Sequence, residues 1–132
     1  MSCVFCKIIS GELPSHKVYE DEFILAFLDV NPVNPGHTLV VPKKHVANFE
    51  EADEEILSRM IKIAKKIGAS LKKNLGVAGY NLQVNNDPAA GQIVPHLHFH
   101  LVPRLASDGL LLWPQRKYKP GDAEEILKKI KV

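Results

Sequence analysis

The sequence has few cysteines, little net charge and no long apolar segment. Its two cysteines, Cys3 and Cys6, form a single Cys-x-x-Cys, whereas a disulfide framework needs more cysteines spread further apart. The formal charge of +2 is too small for a surface that coats nucleic acid. No segment approaches the length of a membrane span, and the first residues do not resemble a secretion signal. We therefore expect a cytoplasmic protein without nucleic-acid or membrane partners.

Two common nucleotide-binding signatures are also missing. The chain contains neither the Gly-x-Gly-x-x-Gly of dinucleotide-binding sheets nor the glycine–lysine loop of P-loop proteins. Strand and helix patterns do not alternate, which argues against a doubly wound parallel sheet. With 132 residues, 45% of them apolar, the chain is long enough for one domain spanning residues 1–132.

The remaining patterns predict an α+β fold. Apolar residues recur at spacings of three and four from Glu54 to about Leu75, which indicates one long amphipathic helix. A capping pair, Asp122 and Glu125, indicates a short C-terminal helix. We expect about five antiparallel strands, with the long helix packed on one face of their sheet. The predicted strands cover residues 18–19, 23–28, 37–41, 80–84 and 96–102, and a first short helix covers residues 5–10.

Three histidines alternate with apolar residues in the last predicted strand. Side chains alternate between the two faces of a strand, so His96, His98 and His100 are expected on one face. They are readily interpreted as a metal site or as a nucleophilic centre, because imidazole is a common ligand and titrates near neutral pH. Three solvated surface histidines are a weaker interpretation. The spacing alone does not separate a metal site from a nucleophile.

Two further segments carry candidate chemistry. The loop 85–92 is rich in amides and small residues, so its backbone N–H groups are candidates for holding an anion. The pair Cys3 and Cys6 has three interpretations: a redox motif, two small residues that stand close together by chance, or half of a zinc site that needs two more ligands.

Four segments resemble the histidine-triad family. Residues 91–102, preceded by the asparagine-rich loop, resemble its signature of three histidines separated by apolar residues. Residues 35–45 resemble its second hallmark, and residues 3–9 resemble the N-terminus of its zinc-bearing bacterial and archaeal members. The resemblance covers residues 3–104 in order and leaves 105–132 as a divergent tail. It implies the family's fold, and homodimers in which two protomers share one larger sheet.

The resemblance also implies roles for individual residues. His98 would be the nucleophile that forms a nucleotidyl-histidine intermediate, and His100 and His37 would surround it and orient the phosphate. The phosphate oxygens would be bound by Asn85, Gln92 and the backbone N–H of Ile93, and the ribose by Asp29. The base pocket would be lined by Phe5, Ile8, Phe27 and Val30, and a structural Zn²⁺ would be held by Cys3, Cys6, His45 and His96.

The implied activity is hydrolysis at the α-phosphate of a purine-nucleotide conjugate. Phosphoramidates, acyl or aminoacyl adenylates and dinucleoside polyphosphates are the candidate substrates, and no catalytic metal is required. The alternatives are nucleotidyl transfer to a second substrate, a nucleotide-sensing module with little turnover, and a zinc-bound scaffold whose triad also binds metal. Ile93 departs from the family, because phosphoramidase members often carry a hydroxyl residue at this position.

Overall fold

The structure, a computed structural model, describes residues 2–132 and is built around one antiparallel sheet. The strands lie in the order β1 (Lys17–Glu20), β2 (Ile24–Leu28), β3 (Thr38–Pro42), β5 (Phe99–Arg104) and β4 (Gly79–Val84), and every neighbouring pair is antiparallel. This confirms the predicted α+β architecture of five strands and one long helix. The elements are α1 (Val4–Ile9), β1 (Lys17–Glu20), β2 (Ile24–Leu28), β3 (Thr38–Pro42), α2 (Glu54–Leu75), β4 (Gly79–Val84), a 3-10 turn (Pro88–Ala90), β5 (Phe99–Arg104) and α3 (Asp122–Ile130).

The long helix has the bounds that its apolar spacing predicts, and it covers one face of the sheet. Its C-terminus is set by Gly76, whose positive φ of 65° favours glycine. At its N-terminus Asp53 makes no side-chain capping bond. A Cβ on Gly68 would come within 2.3–2.7 Å of the Tyr80 ring, so glycine permits the close approach of α2 to β4. The main core contains Met60, Ile63, Ala64, Ile67 and Leu71 of α2 with Ile24, Ala26, Val40, Leu97, Phe99 and Leu101 of the sheet layer.

The opposite face of the sheet carries a smaller core. Alternate residues of β2 and β3 point to this side, because strand side chains alternate, and α1 contributes Phe5 to them. The two cores are separate clusters. The smaller one contains Phe5, Leu25, Phe27, Leu39 and Val41.

The histidine-bearing strand begins later than predicted. β5 starts at Phe99, so His96 and His98 precede the ladder instead of belonging to it. Pro95 lacks an N–H, and the N–H of Leu97 donates to Val46 O at 2.8 Å, away from the β3–β5 pairing. The alternation of faces survives, since Leu97 packs in the main core while His98 lies on the other side.

The C-terminal segment lies outside both cores. Residues 109–132 are exposed throughout, including the whole of α3. Gly121 is the N-cap of α3 and no side chain caps it, so the predicted capping pair of Asp122 and Glu125 does not form. Within residues 2–132, no helix is both long and apolar enough to cross a bilayer.

Candidate active site and metal cluster

A cavity of about 400 Å³ opens on the face of the sheet that carries α1. One wall comes from α1, another from the end of β2, and the third from residues 91–94 with two of the histidines. The lining is mostly apolar, with a few polar groups at one end, as in many small-molecule sites. The lining residues are Val4, Phe5, Ile8, Pro14, Ser15, Phe27, Leu28, Asp29, Val30, Asn31, Leu39, Gly91, Ile93, Val94, His98 and His100.

Most of the residues expected to form the nucleotide site line this cavity. His37, Asn85 and Gln92 do not line it. Sequence reasoning missed the apolar lining residues Val4, Leu28, Leu39 and Val94, because their type fits an ordinary core equally well. It also missed Pro14, Ser15, Asn31 and Gly91, whose types are those of ordinary loops. The expected residues that do line it are Phe5, Ile8, Phe27, Asp29, Val30, Ile93, His98 and His100.

His98 is buried and its ring orientation is fixed on two sides. Its Nδ1–H donates to the carbonyl oxygen of His96 at 2.8 Å, and the ring of Phe5 meets it edge-on with centroids 5.0 Å apart. Because Nδ1 carries the proton, Nε2 holds the lone pair. No described residue hydrogen-bonds to Nε2, and His98 lines the cavity, so this nitrogen is available to a ligand.

A chain of hydrogen bonds sets the state of the other two imidazoles. The Val33 N–H donates to Nδ1 of His37 at 3.1 Å, so the proton of His37 is on Nε2. That Nε2–H points to Nδ1 of His100 at 3.0 Å, which places the proton of His100 on its own Nε2. Among the described residues this Nε2 is the one buried side-chain polar atom without a partner. A buried donor of this kind is costly unless a ligand accepts from it.

Burial keeps these rings neutral. Desolvation lowers the pKa of His37 and His98 below the ordinary histidine value. For His100, desolvation and the neighbouring imidazoles lower the pKa to about 4. We call His37, His98 and His100 the imidazole cluster. At pH 7 it offers one nitrogen lone pair and one N–H to the cavity.

Asp29 stands beside this cluster at the edge of the cavity. Its Oδ1 accepts the N–H of Asn31 at 2.9 Å, which holds the carboxylate in a turn. Its Oδ2 lies 3.8 Å from Nε2 of His37. The carboxylate therefore faces both the cavity and the imidazole cluster, and it is an acceptor for hydroxyl donors.

Gln92 is a bracing residue of the loop 85–92. Its amide oxygen accepts the N–H of Asp87 at 2.7 Å, and its NH₂ donates to Ala47 O and Val94 O. These contacts use the side chain within the protein. They support Asp87 at its positive φ of 71°, a conformation that is unusual outside glycine. Gln92 therefore shapes the loop in this structure, and its contact with a phosphate stays a prediction.

A second cluster joins the N-terminus to the histidine segment. Nδ1 of His96 lies 3.5 Å from Cys3 Sγ, 3.6 Å from Cys6 Sγ and 3.1 Å from Nδ1 of His45. Cys6 Sγ lies 3.3 Å from the same atom of His45. Zinc bonds of about 2.0–2.1 Å to nitrogen and 2.3 Å to sulfur place tetrahedral ligands about 3.3–3.8 Å apart. The four residues, here called the Cys₂His₂ cluster, fit a Zn²⁺ ion.

The tautomer of His96 supports the fit. Its Nε2–H donates to the carbonyl oxygen of Pro42 at 2.8 Å, so the lone pair on Nδ1 faces the two sulfurs. A second hydrogen-bonded partner of this type commonly fixes a zinc-bound histidine. Asp29, His37 and His100 also bring ligand atoms together. In that group Nε2 of His37 carries a proton, because Nδ1 is the acceptor of an N–H, so it is not prepared as a ligand.

Sequence comparison relates this chain to a known family and to several of its members. The HIT domain family matches residues 10–106. The chain is 53% identical over 129 residues to an uncharacterised HIT-like protein of Methanocaldococcus jannaschii, with 98% of each chain covered. It is 39% identical over 137 residues to an adenosine 5'-monophosphoramidase of Schizosaccharomyces pombe, covering 99% of this chain and all of the relative. An adenylylsulfatase of Arabidopsis thaliana is 44% identical over 108 residues, which are 82% of this chain and 55% of the relative.

Solved structures agree with the sequence comparison. A HIT family protein from Bacillus subtilis superimposes with a TM-score of 0.89 at 40% identity, covering 98% of this chain and 95% of that one. A zinc-bound histidine triad family protein from Mycobacterium smegmatis gives a TM-score of 0.80 at 36% identity, covering 98% and 92%.

Proposed function

The chain belongs to the histidine-triad family, and on that premise we propose that it hydrolyses purine-nucleotide conjugates at the α-phosphorus with His98 as the nucleophile. The observation that carries the proposal is the tautomer of His98. Its Nδ1–H is held by the carbonyl of His96, so the lone pair of Nε2 faces a cavity of nucleotide size. Two relatives are named as hydrolases of adenylyl compounds, which supports the substrate class.

The first chemical step follows from these positions. Nε2 of His98 forms a bond to the α-phosphorus, the bond from phosphorus to the leaving group breaks, and the leaving group departs with the electron pair. A carboxylate or phosphate leaving group departs as an anion, whereas the amine of a phosphoramidate takes a proton from solvent water as its bond to phosphorus breaks. The unpartnered Nε2–H of His100 donates to a phosphate oxygen, where negative charge develops. His37 holds His100 in the tautomer that makes this donation possible.

The second step restores the enzyme. Water attacks phosphorus, the P–N bond breaks, and its electron pair returns to Nε2 of His98, while the water proton passes to solvent. Neutral imidazole is competent in both steps near pH 7 and needs no strong base. In the proposed mechanism no metal acts at the reacting phosphorus.

The remaining lining residues are proposed to hold the nucleoside. Phe5, Ile8 and Phe27 offer apolar contacts to a purine base, and Val30 covers the mouth of the cavity. The carboxylate of Asp29 accepts hydrogen bonds from the ribose hydroxyls. The N–H of Ile93, which lines the cavity, and the amide of Asn85 are proposed phosphate donors. A Cβ placed on the lining residue Gly91 would lie 3.8 Å from Nδ2 of Asn85, so this amide is close to the cavity.

The Cys₂His₂ cluster is proposed to bind one structural Zn²⁺. Its four protein ligands would complete a tetrahedron, which is the usual composition of a structural site. When bound, the ion would supply a cross-link between the N-terminus and the histidine segment and take no part in the reaction.

We also propose that two copies of the chain form a homodimer. β4 is an open edge of the sheet, and the exposed segment 109–132 carries Leu111, Trp113 and Leu127 without covering them. Pairing of two copies would cover such surfaces. Sedimentation of the full chain should give twice the 14.7 kDa of one protomer, and a monomer across the micromolar range would reject the pairing.

The test of the proposed hydrolase is to trap its intermediate. Wild-type protein is mixed with adenosine 5'-phosphoramidate, quenched in the millisecond-to-second range and analysed by intact and tandem mass spectrometry. We expect an adenylyl group on His98 and release of AMP on longer incubation. Turnover without any adenylylated histidine would contradict the mechanism. Tight AMP binding with no turnover would favour a sensing module, and transfer to an added nucleophile instead of water would favour a transferase.

A further inference from the structure

Helix α1 is a wall of the cavity that has few polar links to the rest of the protein. Val4, Phe5 and Ile8 line the cavity from this helix. The hydrogen bonds within residues 2–13 close its own turns. Among the described residues, the hydrogen bonds that leave this segment all run from the sulfurs of Cys3 and Cys6 to His45 or His96.

Phe5 connects this wall to the nucleophile. It stands between the two cysteines in sequence and is only 6% exposed. Its ring meets that of His98 edge-on at 5.0 Å and that of Phe27 at 5.6 Å. A shift of α1 would therefore remove one contact that fixes the ring of His98 and open the apolar part of the cavity.

His96 makes a second connection between the two clusters. Its side chain belongs to the Cys₂His₂ cluster, and its carbonyl oxygen accepts the Nδ1–H of His98 at 2.8 Å. The residue that would bind the metal is thus the residue whose backbone selects the tautomer of the nucleophile. The main core is distinct, since no residue of α1 belongs to it.

We propose that metal held by the Cys₂His₂ cluster keeps α1 closed on the nucleotide cavity, with Phe5 as the positioning residue between them. This inference rests on the proposed function only in taking a purine nucleotide as the ligand of the cavity. The metal-free protein keeps the sheet and α2, because their core needs no contribution from α1. It binds nucleotide weakly, because the wall is no longer held in place.

Thermodynamic linkage makes the proposal quantitative. If zinc and nucleotide both favour the closed wall, each raises the affinity for the other by the same factor. We expect this factor to be about tenfold or more, within the range of ordinary coupling between sites. AMP should therefore raise the affinity for zinc, measured at equilibrium against a competing chelator, by the same factor by which zinc raises the affinity for AMP.

The decisive variant is His45→Gln, which removes a ligand that neither lines the cavity nor contacts His98. The matched control is His16→Gln, because His16 is an exposed histidine outside both clusters. Each protein is assayed for zinc content, for AMP affinity by calorimetry, and for amide hydrogen exchange at Lys7 and Ser10, whose N–H groups close the α1 turns.

We expect His45→Gln to lose zinc, to bind AMP about tenfold more weakly and to exchange the α1 amides faster, while the amides of β3 and β5 stay protected. The control should match wild type. Full AMP affinity or unchanged α1 protection without zinc would overturn the proposal, as would full zinc retention by His45→Gln. If His45→Gln does not fold, the same three measurements on chelator-treated wild-type protein decide the question.

The variant Phe5→Leu changes the α1 wall of the cavity and keeps all four ligands of the Cys₂His₂ cluster. This variant should keep one zinc per chain and lose AMP affinity and the ordered tautomer of His98, which histidine ¹⁵N spectra report. Because Phe5 is also proposed to contact the base, the tautomer of His98 is the readout that reports positioning, and an unchanged tautomer in Phe5→Leu would exclude Phe5 as the positioning residue. These readouts do not need turnover, so a wild-type protein that binds AMP without hydrolysing its conjugates would contradict the proposed hydrolase and leave the coupling proposal to be judged on its own data.

Discussion

Two imidazole-containing clusters meet at His96 and His98, and they use opposite nitrogens. In His96, Nε2–H is held by the carbonyl of Pro42 and Nδ1 faces the cysteines. In His98, Nδ1–H is held by the carbonyl of His96 and Nε2 faces the cavity. Residue type does not distinguish His96 from His98, since both are histidines of the same segment. The backbone carbonyl that accepts the N–H of each ring determines which nitrogen keeps its lone pair. The position of that lone pair determines whether the ring is placed to bind a metal or to attack a phosphorus.

The strongest way to break the comparison is to damage one cluster and leave the other intact. Replacing His98 by Gln should lower turnover of an adenosine phosphoramidate by at least about 10³-fold, since the nucleophile is removed. Zinc content should remain at one per chain, because His98 is not a ligand of the Cys₂His₂ cluster. Steady-state kinetics and elemental analysis measure the two effects. Near wild-type turnover by this variant would refute the assignment of the nucleophile.

The reciprocal change is Cys3→Ser combined with Cys6→Ser. Zinc content should fall from about one per chain to none, since two of the four proposed ligands are lost. A metal present at about 1,000 times its dissociation constant stabilises the folded state by roughly 4 kcal/mol, so we expect Tm to fall by roughly 10 °C or more. Treating wild type with a chelator should lower its Tm toward that of the variant, so that the difference in Tm between the two proteins shrinks. A variant that keeps its zinc would show that the ligands lie elsewhere.

The imidazole cluster should respond to pH through the lowered pKa values of its rings. Catalysis needs neutral rings, and the pKa of His100 is lowered to about 4 by burial and by its neighbouring imidazoles. The acid limb of kcat/KM should therefore lie below pH 6.5, the ordinary histidine value. The same shift makes stability fall as pH falls from about 6.5 toward 4, because the unfolded chain binds the proton first. Kinetics from pH 4 to 8 test this, with zinc content followed at each pH, and an acid limb above pH 6.5 would contradict it.

The smallest expected effect concerns Ile93, whose side chain is 92% exposed at the cavity mouth. Ile93 offers no side-chain proton to a departing amine. Ile93→Ser should raise kcat/KM for alkyl phosphoramidates by roughly threefold to tenfold and leave acyl adenylates or dinucleoside polyphosphates nearly unchanged, because their leaving groups are stable anions. An equal effect on both substrate classes would show that the side chain at position 93 plays no part in protonating the leaving group.

The fold was predictable where local pattern and tertiary packing agree. The bounds of α2 follow from its apolar spacing, and Gly76 ends it as expected. The start of β5 was predicted three residues too early, because Leu97 bonds to Val46 outside the ladder. The spacing of His96 and His98 does not predict that the two rings contact different groups. His96 contacts Pro42 and the two cysteines, and His98 contacts Phe5, and these groups come from distant parts of the chain.

The candidate site was predictable in its chemistry and less so in its walls. His98 stood out through the spacing of the three histidines, Asp29 was named by the family resemblance alone, and both line the cavity. Val4, Leu39 and Val94 line it as well, but their apolar character is equally typical of a core. Gln92 was named as a phosphate ligand by the family resemblance, which gave no indication that its side chain makes three hydrogen bonds within the loop region.

The tautomers of the histidines test the central claim most directly. Long-range ¹H–¹⁵N spectra of the zinc-loaded protein at pH 7 report which nitrogen of each ring carries the proton. We predict a proton on Nδ1 of His98 with a free Nε2, and protons on Nε2 of His37 and His100, as the hydrogen bonds from Val33 and His37 require. A proton on Nε2 of His98 would leave the cavity without its nucleophile and would contradict the proposed reaction.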